Sequence, residues 1–255
     1  MSDRRRVATA SIVPLSPAVT RIGVVVPAHD EAATIAACLD SLERAAAHRD
    51  LRSVAVEVVV VLDRCTDDTG RLARVPRQLA VTTLEVDVRN VGRARRAGLA
   101  TLLARRTDQD AGLWLASTDA DSTVPRDWLA RQLAWRRLGA DAVAGTVRID
   151  DWTGHPIAVR HRFEAHQARL GTGRDHSHVH GANLSFSAAA YLGVGGMPPE
   201  ALAEDHALWL ALHRAGYRTV APGDLAVTTS ARRDGRARGG FSTFLTSLDR
   251  TAEAG

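Results

Sequence analysis

The chain reads as an α/β protein, a single Rossmann-like domain with a mostly parallel central sheet flanked by helices. Three observations predict this. Short apolar runs alternate with amphipathic stretches four times before residue 140, and successive strand-helix units imply right-handed crossovers and parallel strands. Each run ends in acids or asparagine, at Asp30 and Glu31, Asp63, Asn90, and Asp119 and Asp121, which is the strand end where such sheets bind ligands. A chain of 255 residues with 45% hydrophobic content can also bury a sizeable core in one unit.

Taken in order, residues 1–20 lack hydrophobic periodicity and read as a flexible lead-in. The domain is expected over residues 21–240, in two halves at 21–125 and 126–240, with a tail at 241–255. Ile22 to Val26 is β-branched and breaks at Pro27-Ala28-His29-Asp30-Glu31, after which Ile35, Cys38, Leu39 and Leu42 follow at helical spacing. Val54 to Leu62 is nearly all apolar, as a strand buried on both faces must be. Val81 to Val88 is the third strand, and Asn90 opens a helix with Leu99, Leu102 and Leu103. The fourth unit runs from Trp114 to Asp121 and into a helix that pairs Leu129 with Leu133 and stops near Gly139.

Asp119 and Asp121 admit two readings. On an extended segment, residues i and i+2 point the same way, so both carboxylates would face one space and suit a magnesium or manganese ion that also keeps phosphate oxygens. Alternatively the stretch is a solvated turn, with Thr123 capping the next helix and Pro125 in its first turn. Beyond Ile149 the pattern is less regular and rich in histidine. His176, His178 and His180 would align on one strand face, either lining an acceptor pocket or holding zinc. Glu204 and Asp205 open a helix carrying Leu208 and Leu212, where the helix dipole alone favours acids. Tyr217 to Val220 and Ala226 to Thr228 read as short strands. The arginines at Arg232, Arg233, Arg236 and Arg238, spaced by glycines, are either a charged surface run or a segment that folds over a diphosphate.

Composition narrows the partners. The net charge is +4, and all 33 basic residues are arginine. Lysine chemistry is therefore excluded, and phosphate recognition falls to guanidinium groups. Aromatic residues make up 4%, and without a nucleic-acid reader motif this argues against nucleic acid. Two cysteines, Cys38 and Cys65, form no disulfide framework, which points to a reducing, cytoplasmic setting. No apolar run reaches membrane-spanning length, and the Arg-rich start is not followed by a signal-type apolar stretch. Peripheral membrane contact through arginines stays open, as does the oligomeric state.

In their order, these segments resemble the family 2 glycosyltransferases, which share the GT-A fold, over roughly residues 22–240. Val24 to Glu31 is similar to the family's opening strand and nucleotide-contacting loop, which implies donor contacts from Pro27, Ala28 and Glu31. Asp63 matches an acid that contacts the nucleobase, and Asn90-Val-Gly92 resembles the third loop. Asp119-Ala-Asp121 matches the DxD motif, implying Asp121 and Asp119 as the residues that hold Mg2+ or Mn2+. His180-Gly-Ala-Asn183 through Gly195-Gly196 resembles the acceptor-side segment, and Glu204-Asp205 the ED motif whose aspartate serves as base. The resemblance implies an inverting, metal-dependent transfer of a sugar from a nucleotide-diphosphate sugar to an acceptor hydroxyl, with residues 21–125 as the nucleotide-sugar half and 126–240 as the acceptor half. Asp205 would be the catalytic base, with Asn183, Glu204, Arg232 and Arg236 contacting substrates.

Some positions depart from the family's pattern. Leu62 stands where many members carry a second acid, His29-Asp30 replaces the commoner asparagine, and no histidine occupies 228–230, where some members add a third metal ligand. The absence of a Gln-x-x-Arg-Trp motif argues against a processive polysaccharide synthase. Two other classes remain: a nucleotidyltransferase, which would normally show a glycine-rich, lysine-containing phosphate loop after the first strand, and a non-catalytic sugar-nucleotide-binding protein on the same fold.

Overall fold

The computed structural model describes residues 17–105, 112–169, 179–198, 203–232 and 241–250. Four strands, β1 (Arg21–Ala28), β2 (Ala55–Asp63), β3 (Ala80–Val86) and β4 (Leu113–Ser117), alternate with helices α1 (Ile35–Ala46), α2 (Thr69–Ala73) and α3 (Val91–Ala104). Then come β5 (Ser122–Thr123), α4 (Trp128–Arg137), β6 (Ala142–Ala144), β7 (Thr146–Arg148) and α5 (Ile157–Arg169). The chain continues through β8 (Leu184–Ser187), α6 (Ala188–Gly193), α7 (Glu204–Arg214), β9 (Thr219–Val220), β10 (Ala226–Thr229) and α8 (Phe241–Arg250).

The main sheet has the order β3-β2-β1-β4-β8-β6-β9. Its first four strands are mutually parallel, and β8 runs antiparallel to both β4 and β6. Because β2 and β3 extend to one side of β1 while β4 lies on the other, strand order reverses between β1 and β4, and a crevice opens at their carboxyl ends. Alternation along β1 and β2 divides the core in two. Ile22, Val24, Val26, Val58 and Val60 pack with α1 and α4, whereas Val25, Val59 and Val61 pack with α3 and α7. Pro27 fits inside β1 because it has the parity of Val25, whose carbonyl accepts the Thr118 N–H at 3.2 Å, and β4 has ended by that point.

Three expectations need correction. Asp119 and Asp121 lie in a turn closed by the Ser122 N–H on the Asp119 carbonyl at 3.0 Å, not on an extended strand. Thr123 caps nothing: it pairs with Thr228 in a second, small sheet of order β5-β10-β7, and α4 starts only after Asp127. Nor does the fold stop at residue 240, because α8 packs on α5 and supplies Leu245 and Phe244 to a third cluster with Ile149, Phe163 and Ala231. The lead-in at 1–16 lies outside the described residues.

Candidate active site

The loops at the carboxyl edge of β1, β2 and β3 are knitted together by their own side chains. Asp30 accepts the backbone N–H groups of Thr66 (2.6 Å) and Asp67 (3.2 Å), and Asp67 accepts that of Ala32 (2.9 Å). These bonds, led by that to Thr66, hold the Asp30 carboxyl below its usual range against the opposing effect of burial. Asp63 takes the N–H groups of Val88 (2.9 Å), Arg89 (3.0 Å) and Asn90 (3.0 Å), which shapes the third loop. Asn90 then caps α3, its side-chain oxygen accepting the Arg93 N–H at 2.8 Å. Among the described residues, the non-glycine positions with positive φ are Asp30, Arg64, Arg89 and Ala203, all in loops at this edge. Such backbone conformations are disfavoured and concentrate at functional sites.

Two arginines organise the acids. Arg95 projects from α3, is 4% exposed, and bonds to Asp119 Oδ1 at 2.5 Å and to Glu204. Burial opposes its charge, but Asp119, Glu204 and Asp205 more than offset that and hold it firmly protonated. The contact is tight enough to exclude side chains nearby: a Cβ on Gly92 would lie 2.6 Å from Glu204 Cγ, and one on Gly181 would lie 2.3 Å from Arg95 Cζ. Arg232 follows β10 and grips both oxygens of buried Glu31, at 2.6 and 2.8 Å, while one of its nitrogens lies 3.0 Å from Asp121 Oδ2. Glu31 is also positioned by Thr34, whose hydroxyl donates to it at 2.8 Å. Pairing of Ser122 with Thr229 places Asp121, just before β5, opposite the segment after β10.

The Asp121 carboxyl is pushed up to about 6 by burial and by Asp119, with Glu31 adding to the effect and Arg232 opposing it. It opens onto a cleft of about 370 Å³ that is also lined by Thr123, Asp150, Thr228, Ser230 and Arg232. Asp205 is half-buried at the start of α7. One oxygen accepts the Gly181 N–H and the other the His206 N–H, both at 2.7 Å.

The structure thus brings Glu31, Asp119, Asp121, Glu204 and Asp205 together through Arg95 and Arg232. Pro27 and Ala28 are buried at the end of β1, below this space. Asn183 lies in the frame instead of on the cleft. It is 1% exposed, its amide donates to the Thr146 and Leu225 carbonyls at 2.8 Å, and its oxygen accepts the Trp128 indole N–H at 2.9 Å. Arg236, His176 and His178 lie outside the described residues, and His180 packs edge-on against Phe241 at 6.2 Å. Sequence reasoning missed Arg95, although a signal was present: it shares the stripe of Gly98, Leu99 and Leu102, so it had to face inward.

A divalent cation can be tested against these donors. Among the described residues no three His, Cys, Asp or Glu side chains form a self-sufficient cage. Five carboxylates face two guanidinium groups here, so the donor set is acidic and hard. It fits a magnesium or manganese ion held by one or two carboxylates with phosphate oxygens completing the shell.

Comparison with known proteins identifies the family. The family model for glycosyl transferase family 2 matches residues 23–191, more than half of the chain. The chain belongs to that family, and its fold is GT-A. Among solved structures, it is similar to the mannosyltransferase PcManGT from Pyrobaculum calidifontis in complex with GDP-Man and Mn2+. That match has 26% identity and a TM-score of 0.63, covering 89% of this chain and 61% of the other. It also resembles S. aureus TarS 1-349 in complex with UDP-GlcNAc, with 15% identity and a TM-score of 0.64, covering 91% of this chain and 65% of that one. The chain therefore spans less than two thirds of the length of these proteins. No curated protein matches it. Among the described residues, no helix is long and apolar enough to cross a membrane.

Proposed function

We propose that the chain transfers a sugar from a nucleotide-diphosphate sugar to an acceptor hydroxyl with inversion at the anomeric carbon. The observation that carries this reading is the union of Asp119 and the Glu204-Asp205 pair through one buried arginine, at the β1/β4 switch point. Donor and acceptor machinery are thereby held at a fixed distance. Asp121, with Asp119, would hold Mg2+ or Mn2+, which supplies positive charge to the departing diphosphate. Arg232 contributes guanidinium charge to the same group, the kind of electrostatic stabilisation that is often the largest catalytic contribution.

Asp205 is the general base. Its two backbone N–H contacts fix the carboxylate's orientation while leaving it half-exposed to an incoming hydroxyl. A carboxylate is a weak base for an alcohol, so proton transfer comes late, in concert with attack on a sugar carbon that has already gained positive charge. Glu31 orients Arg232, and Glu204 orients Arg95.

The test is a panel of UDP-, GDP-, dTDP- and ADP-sugars with manganese, read first as a rise in melting temperature and then as donor turnover. A donor that binds only the native state raises the melting point by mass action. Stabilisation by one donor class together with its turnover supports the proposal. Stabilisation without hydrolysis or transfer would support a binding protein instead.

A further inference from the structure

Arg232 occupies the acidic end of the cleft, where the cation of the proposed reaction belongs. Its two terminal nitrogens hold Glu31, and one of them also reaches Asp121 Oδ2 at 3.0 Å. A metal bound to that oxygen would meet a guanidinium at contact distance, and the two cations repel in a half-buried site. We propose that Arg232 is an internal counter-cation that holds the metal's place at Asp121 in the donor-free protein and turns to the diphosphate when the donor arrives. A divalent cation then binds well only together with a nucleoside diphosphate. This rests on the nucleotide-sugar reading above.

Four observations converge. The register of β5 with β10, which pairs Ser122 with Thr229, sets Arg232 opposite Asp121, so the contact is built into the fold. The link to Glu31 is bidentate and that to Asp121 single, so Arg232 can release Asp121 without losing its anchor. Its side chain is 29% exposed and lines the cleft, so a change of partner requires no opening of the core. Among the described residues no third metal-ligating side chain joins the two aspartates in a cage, so a cation needs phosphate oxygens to complete its shell. A diphosphate is also a strong acceptor for a guanidinium fork. Linkage makes the effect reciprocal: the factor by which diphosphate strengthens cation binding equals the factor by which the cation strengthens diphosphate binding.

The test measures free Mn2+ by electron paramagnetic resonance with the full chain, its Arg232→Gln variant and its Arg232→Lys variant. Each is titrated alone and with saturating UDP or GDP, after subtraction of Mn2+ held by nucleotide in solution. The parent should bind Mn2+ weakly alone and at least about tenfold more tightly with the nucleotide, within the usual range of coupling between sites. Arg232→Gln should bind Mn2+ alone about tenfold or more tightly than the parent and respond less to nucleotide. Arg232→Lys, which cannot hold Glu31 with a planar fork and reach Asp121 at once, should fall between them. If Arg232→Gln does not fold, the lysine variant alone decides, because it too must exceed the parent. Binding of Mn2+ that is no tighter in the folded variants than in the parent, or undetectable in all of them, overturns the proposal. If none of UDP, GDP, dTDP and ADP stabilises the parent against heat in the presence of Mn2+, the nucleotide-sugar reading fails separately. The nucleotide-free comparison still reports whether Arg232 and the cation compete.

Discussion

Arg95 and Arg232 each join two acids across the same cleft, but from unlike positions. Arg95 is 4% exposed, with Gly181 packed against its guanidinium and Gly92 against its partner Glu204, and it is tied to elements of the core on both sides. The Arg232 side chain is 29% exposed and extends from a strand end over open space. A fully buried guanidinium cannot change partners without leaving carboxylates unpaired in a medium that solvates them poorly. One bordering the cleft can exchange a carboxylate for a phosphate at little cost. The first brace sets distances, and the second is placed where it can change partners.

The sharpest break in this comparison comes from the cation. Chelation with EDTA should abolish donor turnover, and added manganese should restore it, because Asp119 and Asp121 leave the diphosphate facing net negative charge. Undiminished turnover in EDTA would mean that Arg232 suffices alone. Next in size is Arg95→Gln, which strands Asp119 and Glu204 without their shared partner. Removing one member of a buried ionic group typically costs about 3–5 kcal/mol, so chemical denaturation should show a loss of that order. A loss under about 1 kcal/mol would show that water reaches the bridge.

Asp121→Asn should act in the opposite direction on stability while removing turnover. Folding raises the Asp121 carboxyl to about 6 from an ordinary value of 3.8. Its ionisation therefore opposes folding fully above pH 6, and this penalty disappears as pH falls toward 4. The variant should be more stable than the metal-free parent by at most about 3 kcal/mol at pH 8, and the two should converge near pH 4. Thermal melts across that range provide the check, and a variant less stable than the parent at pH 8 would contradict the assignment. The smallest effect belongs to Asn90→Ala, which removes the α3 cap and should lower the unfolding free energy read from chemical denaturation by about 1 kcal/mol.

The two halves of the chain differed in how much could be read from their residues. Up to Gly139, helical and strand periods alternate regularly, so β1 to β4 and helices α1, α3 and α4 were all expected close to where they lie. The Asp119-Asp121 stretch admits both an extended and a turn reading in sequence, because two-residue spacing says nothing about backbone direction once pairing ends at Ser117. Beyond Ile149 the pattern weakened. Helix α5 has Arg, His and Glu scattered around Val159 and Phe163, and its buried face becomes visible only when α8 packs on it. Asn183 looked like a polar contact to substrate, yet a buried amide bracing two carbonyls is indistinguishable from one in a cleft until the partners are known. Arg95 shows the converse, since a charge on an apolar stripe already signals a buried partner.

The central claim is that Asp205 takes the acceptor's proton in a cleft whose donor side functions without it. Its direct test is Asp205→Asn, with donor affinity measured by calorimetry and transfer measured by turnover on the same preparation. The amide keeps the size of the side chain and an oxygen to accept the Gly181 N–H. Affinity should therefore stay within a few-fold of the parent, while turnover falls roughly a hundredfold to ten-thousandfold, as loss of a positioned base requires. Turnover within a few-fold of the parent would contradict the account and move the base to Glu204 or to a histidine among His176, His178 and His180.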